Sequence, residues 1–180
     1  MNTRWKSSIV AGLAVLPLAM TACNSPRIQD SEALSYSTEL GVKNPSVPEA
    51  DLLCAGQLTE AQLTALHEMG YASFINLRAD GESGTGWEAA HAATIGAAYH
   101  RLPIAGAADV NEESARALDA LLAKAERPVV LYCGSSNRVG ALYGLAAFYV
   151  DGEQPEAALV RARAAGVTRL EPRVKELLGL

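Results

Sequence analysis

The chain has 180 residues, about one domain by size; hydrophobic residues make up 49% and charged residues 19%, enough to bury a core. Lys plus Arg number 15 against 20 acids, for a net charge of −5, and no basic block exceeds two residues. That excludes general nucleic-acid binding, which needs a cationic surface. His67, His91 and His100 are scattered, and the three cysteines show neither zinc-ligand spacing nor a disulfide framework, so no metal is implied.

Arg4 and Lys6 precede an apolar run from Ile9 to Ala19, followed by Met20-Thr21-Ala22-Cys23. This is a positive n-region, an h-region and small residues before a cleavage point, and the run is short for a membrane span. The segment resembles a bacterial lipoprotein signal, with Met20 in place of the usual leucine. The resemblance implies cleavage after residue 22 and lipidation of Cys23; Asn24 implies export to the outer membrane, facing the periplasm. Residues 1–22 are then the signal peptide and 23–50 a lipidated, flexible tether rich in serine with Pro26, Pro45 and Pro48. The functional body is 51–180.

Within that body, Leu52-Leu53-Cys54-Ala55 reads as a strand, and Thr59 and Gln62 form a capping box for a helix that should stop at Gly70. A strand is expected at Tyr71–Leu77, then a turn-rich stretch from Asp80 to Gly86, a helix over about Trp87–Ile95, and a short strand at Tyr99–Ile104. Asn111 should cap a helix through Lys124 whose buried stripe is Ala115, Leu118, Leu121 and Leu122. Pro128–Tyr132 is an unbroken apolar run, the pattern of a strand buried on both faces. Helices follow at about 138–150, 154–165 and 171–178. Tyr143, Phe148 and Tyr149, at helical spacing, read as core. The alternation predicts a three-layer α/β fold with a mostly parallel central sheet of about four or five strands. Ligands in such sheets bind beyond the carboxyl ends of the strands, where Cys133 falls.

After Tyr132 comes Cys133-Gly134-Ser135-Ser136-Asn137-Arg138-Val139-Gly140, and then a helix. Small residues allow successive backbone N–H groups to point inward, and with the helix N-terminus they make an anion cradle. Arg138 can add a bidentate fork for a tetrahedral oxyanion, and Cys133 is the candidate nucleophile. No Gly-x-Ser-x-Gly elbow surrounds Ser135 or Ser136.

The runs GQLTEAQLTALHEMGYASFINLRADGE, YHRLPI and PVVLYCGSSNRVG together resemble the phosphatase-like domain called beta-lactamase hydrolase-like, of the cysteine-based protein tyrosine and dual-specificity phosphatase superfamily. The likeness covers about residues 52–165 and implies a tyrosine-phosphatase-like fold. It implies a phosphocysteine intermediate on Cys133, phosphoryl oxygens held by Arg138, and stabilising N–H groups from Gly134, Ser135, Ser136 and Asn137. Asp109 sits roughly where such an enzyme would place its general acid, although a helix-entry aspartate is often a cap. Asp80 and Glu82 should reach the same edge and read first as polar turn residues; Arg78 reads as a structural ion-pair residue. The implied partner is a phosphorylated substrate, with no cofactor.

Three features depart from the pattern. Four residues, not five, separate Cys133 from Arg138, a spacing shared with many rhodanese domains, which transfer sulfur through a persulfide. Ser136 stands where glycine is usual and must itself adopt any positive φ. Val139 replaces the serine or threonine that helps the thiolate leave. A rhodanese-like sulfurtransferase and a non-catalytic anion-binding lipoprotein therefore stay open beside the phosphatase. The family also places the Cys54 strand beside that of Cys133, which suggests a reversible disulfide between them.

Overall fold

A computed structural model of the chain describes residues 29–180. The signal segment and Cys23 lie outside the described residues. The elements run α1 (Asp30–Glu39), β1 (Ser46–Glu49), β2 (Leu52–Ala55), α2 (Glu60–Met69), β3 (Ser73–Arg78), α3 (Glu88–Ile95) and β4 (Ala98–Ile104). After a single 3₁₀ turn (Ala107–Asp109) come α4 (Glu112–Lys124), β5 (Val129–Tyr132), α5 (Asn137–Tyr149), α6 (Pro155–Ala164) and α7 (Glu171–Leu178).

The sheet has five strands in the order β1-β2-β5-β3-β4; β1 is antiparallel to β2, and the other neighbours are parallel. β5 lies at the centre, and Val129, Val130, Leu131 and Tyr132 are all fully buried, as the unbroken apolar run requires. Alternate residues face two separate cores. Leu52, Cys54, Ile75, Leu77, Val129, Leu131 and Cys133 pack with residues of α4–α7; Leu53, Phe74, Val130 and Tyr132 pack with residues of α2 and α3. The three-layer expectation holds.

Local signals set several boundaries. Thr59 and Gln62 form the reciprocal capping box, and α2 ends on Gly70 at φ 116°. Asn111 accepts from the Ser114 amide at the start of α4. The stretch expected to be a flexible tether is corrected in its second half. Residues 30–39 form α1, which buries Ala33 and Ser37, and residues 46–49 form an edge strand. Their polar composition hid them, and Pro48 is tolerated because β1 lies at the sheet edge.

α5 is almost wholly buried and packs tightly on α6. A Cβ on Gly144 would collide with the Ala162 side chain and backbone, and one on Gly140 with the Val167 and Ala162 backbones. Only glycine permits that approach. Gly144→Ala should destabilise the fold by about 2 kcal/mol through overpacking, seen as a lower Tm with unchanged secondary structure. A Tm equal to wild type would show that the helices part without cost.

Candidate active site

The parallel strands end together, and the loop from β5 to α5 crosses above them. Cys133 follows β5 directly; its amide donates to the Ala55 carbonyl (3.2 Å), and its side chain is 1% exposed. The chain then turns within four residues. Ser136 takes a left-handed conformation (φ 65°), which costs a non-glycine residue about 1 kcal/mol. Its hydroxyl offsets that by donating to the Ala165 carbonyl (2.9 Å). The Ser136 side chain is therefore a fastening to the end of α6, and only its backbone belongs to the loop's rim.

Asn137 opens α5 but turns its side chain outward from the loop. Its Oδ1 accepts from the amides of Thr168 (2.8 Å) and Leu170 (3.2 Å) and from the Thr168 hydroxyl (3.2 Å). Its contribution to an anion cradle is the backbone N–H alone. The first amides of a helix have no intrahelical acceptor, and among the described residues none accepts from those of Asn137 or Arg138. The Ser135 carbonyl accepts from Asn44 Nδ2 (3.1 Å), which fixes the loop from the other side.

Beside the loop is a cavity of about 590 Å³ lined by Gly134, Ser135, Asn137 and Arg138 together with Lys43, Ala79, Glu82, Ala105, Gly106, Arg169 and Leu170. Arg138 is fixed by three contacts. Its Nη1 donates to Glu82 Oε1 (2.5 Å) and the Ile104 carbonyl (2.5 Å), and its Nη2 to Glu82 Oε2 (2.9 Å). These bonds to Glu82 hold the guanidinium even more firmly protonated than usual, and charge on Cys133 acts in the same sense. Cys133 and Arg138 therefore lie close enough to interact. Gly134 lies under the fork, where an added Cβ would come within 3.2 Å of Arg138 Nη2.

Glu82, which the sequence suggested was a turn residue, is the main electrostatic partner of the site. It also accepts from the Ala79 amide (2.7 Å) and Arg78 Nε (3.3 Å). The hydrogen bond from Arg138, foremost, lowers its pKa to about 2. That depression keeps Glu82 ionised at neutral pH. Arg78 is the structural residue the sequence suggested: it is buried and also donates to the Ser83 and Gly84 carbonyls. Asp80 pairs with Arg101 (2.5 Å), away from the cavity lining.

Asp109, the sequence candidate for general acid, is placed otherwise. Its Oδ2 accepts from the amides of Ala105 (2.7 Å) and Gly106 (3.3 Å), so the carboxylate shapes the loop that carries those two lining residues. Neither Asp109 nor Cys133 is among the cavity-lining residues, although Gly134, which directly follows Cys133, is. The Asp109 carboxylate closes the 3₁₀ turn back on its own loop, and Asn111 is the cap of α4. Val139 is fully buried and brings no hydroxyl to the site.

Cys54 and Cys133 are both free thiols. Cys54 is in register with Leu131, so Cys133 lies diagonally across, roughly 8 Å away by ordinary strand spacing, too far for a disulfide without backbone movement. Burial, above all, pushes the Cys54 thiol well above its ordinary value and keeps it protonated.

The family model for the beta-lactamase hydrolase-like protein, phosphatase-like domain, matches residues 47–149. The chain belongs to that family. It is 35% identical over 98 residues to a beta-lactamase hydrolase-like protein of Agrobacterium fabrum and 34% identical over 98 residues to one of Xylella fastidiosa. Each match covers 52% of this chain but only 22% of the relative. Among solved structures, a Neisseria meningitidis protein described as a phosphatase candidate superposes with a TM-score of 0.61 at 24% identity, over 73% of this chain and 96% of the other. The core catalytic domain of the Saccharomyces cerevisiae phosphatase SIW14 superposes with a TM-score of 0.56 at 16% identity, over 76% and 86%. The fold is that of the tyrosine-phosphatase-like proteins.

The lowered Glu82 pKa has a stability consequence. A carboxyl whose folded pKa is depressed contributes stability that is complete above its unfolded value, near 4.5, and is lost as pH falls toward about 2. Glu82→Gln should therefore show a flatter fall in Tm across that window than the wild type. Parallel profiles would mean that the Glu82–Arg138 pair is not stabilising.

Proposed function

We propose that the protein is a cysteine-dependent phosphatase-like hydrolase of phosphomonoesters. The observation that carries this reading is the placement of Cys133 at the carboxyl end of the central strand, sharing one electrostatic site with Arg138 beside an open cavity. The family and the phosphatase fold support it. The Cys133 thiolate attacks phosphorus as the ester P–O bond breaks, giving phosphocysteine and an oxygen leaving group that takes a proton from solvent. Water then attacks the phosphocysteine, releasing inorganic phosphate and restoring the thiolate. Backbone N–H groups of Gly134 to Asn137 and the Arg138 guanidinium stabilise the equatorial oxygens.

Among the described residues, Glu82 is the one carboxylate lining the cavity, and its lowered pKa keeps it ionised at neutral pH. Leaving groups that depart as stable anions are therefore favoured. Aryl phosphates should turn over at least about 100-fold faster than alkyl phosphates, the range a positioned general acid normally supplies. Cys133→Ser should abolish turnover of both. Equal rates for aryl and alkyl esters would reveal a proton donor elsewhere, and turnover surviving in Cys133→Ser would overturn the mechanism.

A second reading, a rhodanese-like sulfurtransferase using a Cys133 persulfide, draws support from the four-residue loop and from a reaction that needs no acid. Thiosulfate-dependent thiocyanate formation without aryl phosphate hydrolysis would favour it. Ligand binding with neither turnover would leave a binding protein. We also propose that the chain is anchored through lipidated Cys23 in the bacterial cell envelope, on the periplasmic face of the outer membrane. None of the helices among the described residues is long and apolar enough to cross a membrane. Cys23→Ser should move the protein from the membrane to the soluble fraction; unchanged membrane association would contradict the anchor.

A further inference from the structure

The cavity beside the Cys133–Arg138 loop holds two cations beyond the Arg138–Glu82 pair. Its charged lining consists of Lys43, Arg138, Arg169 and Glu82, a surplus of two positive charges in a chain whose net charge is −5. Glu82 is matched to Arg138. Lys43 and Arg169 are both exposed, and neither has an ion-pair partner among the described residues.

Both cations stand on backbone fastened to the nucleophile loop or its supports. The Lys43 carbonyl accepts from the Gly56 amide (2.6 Å), just beyond β2, and the next residue, Asn44, donates to the Ser135 carbonyl (3.1 Å). A side chain on Gly56 would press on Lys43, with a contact of 3.0 Å. Arg169 lies between Thr168 and Leu170, whose amides both donate to the Asn137 side chain. Two segments far apart in sequence are thus tied to Ser135 and Asn137, and each brings one cation to the same cavity. Both residues fall outside the 47–149 match.

Among the described residues, the uncharged lining is Ala79, Ala105, Gly106, Gly134, Ser135, Asn137 and Leu170, which supply no aromatic face against which a phenyl ring could stack. We infer that Lys43 and Arg169 form a second anion subsite, and that the substrate is a compact phosphate ester bearing a further phosphate or other anionic group. This inference rests on the phosphatase-like reading of Cys133 and Arg138. The first phosphoryl group meets the loop amides and Arg138. The second group lies between Lys43 and Arg169, where two charge-assisted contacts distinguish a multiply charged ligand from a simple monoester.

The test is calorimetric binding to the Cys133→Ser protein, with inorganic phosphate and inorganic tripolyphosphate as probes. Tripolyphosphate should bind at least about tenfold more tightly, a preference worth one strong charge-assisted contact. The Lys43→Ala/Arg169→Ala pair should remove most of that preference while changing phosphate affinity by less than about threefold, as expected of exposed charges beyond the primary contact. Lys124→Ala, on an exposed cation of α4, should leave the preference intact. Equal affinities for the two probes, or a preference unchanged in the double variant, would overturn the second subsite alone. A loss as large in Lys124→Ala would overturn it too, by showing only a general field. If neither probe binds, the anion cradle itself fails, and the phosphatase-like reading goes with it.

Discussion

Between Tyr132, the last residue of β5, and Asn137, the first of α5, the chain has four residues in which to leave a buried strand and enter a buried helix. That turn is the constraint on which the site depends. It is made by bending Ser136 into the left-handed region and fastening its hydroxyl to Ala165. The close packing of α5 on α6 through Gly140 and Gly144 brings Ala165 near enough for that fastening. With the turn made, Cys133 is fixed above the strand ends, and the first amides of α5 are left free for an anion.

Charge completes the arrangement. Arg138 projects from the first turn of α5 and is oriented by Glu82 from the loop after β3. Without a partner, a largely buried guanidinium would be costly; paired at both nitrogens, it is held in one orientation. Glu82 is itself positioned by the Ala79 amide and by Arg78. The loop is therefore supported from four parts of the chain: the segment at Asn44 before β1, the loop after β3, the start of α5, and the α6–α7 connection bound by Asn137.

Much of the frame was legible from local pattern. The apolar run at Val129–Tyr132 announced a central strand, the Thr59 and Gln62 pair a helix start, and the small-residue run after Cys133 a tight loop carrying Arg138 into a helix. What escaped was non-local. Glu82 looks like one polar residue in a glycine-rich turn, and its bond to Arg138 spans 56 residues. Asp109 looked like an acid because of its place before α4, but its carboxylate is taken up by two amides of its own loop. Lys43 and Arg169 carry no local signal at all, because their meeting depends on Asn44, Gly56 and Asn137 holding distant backbone. The serine- and proline-rich composition of residues 30–49 also concealed a helix and an edge strand that pack on the body.

In the proposed mechanism Cys133 becomes covalently phosphorylated during turnover. That step is tested most directly by quenching the protein in denaturant while it turns over an aryl phosphate, then mapping its peptides by mass spectrometry. The account predicts a phosphate adduct on the peptide containing Cys133. Unmodified Cys133 during sustained turnover, or an adduct on another residue, would contradict it.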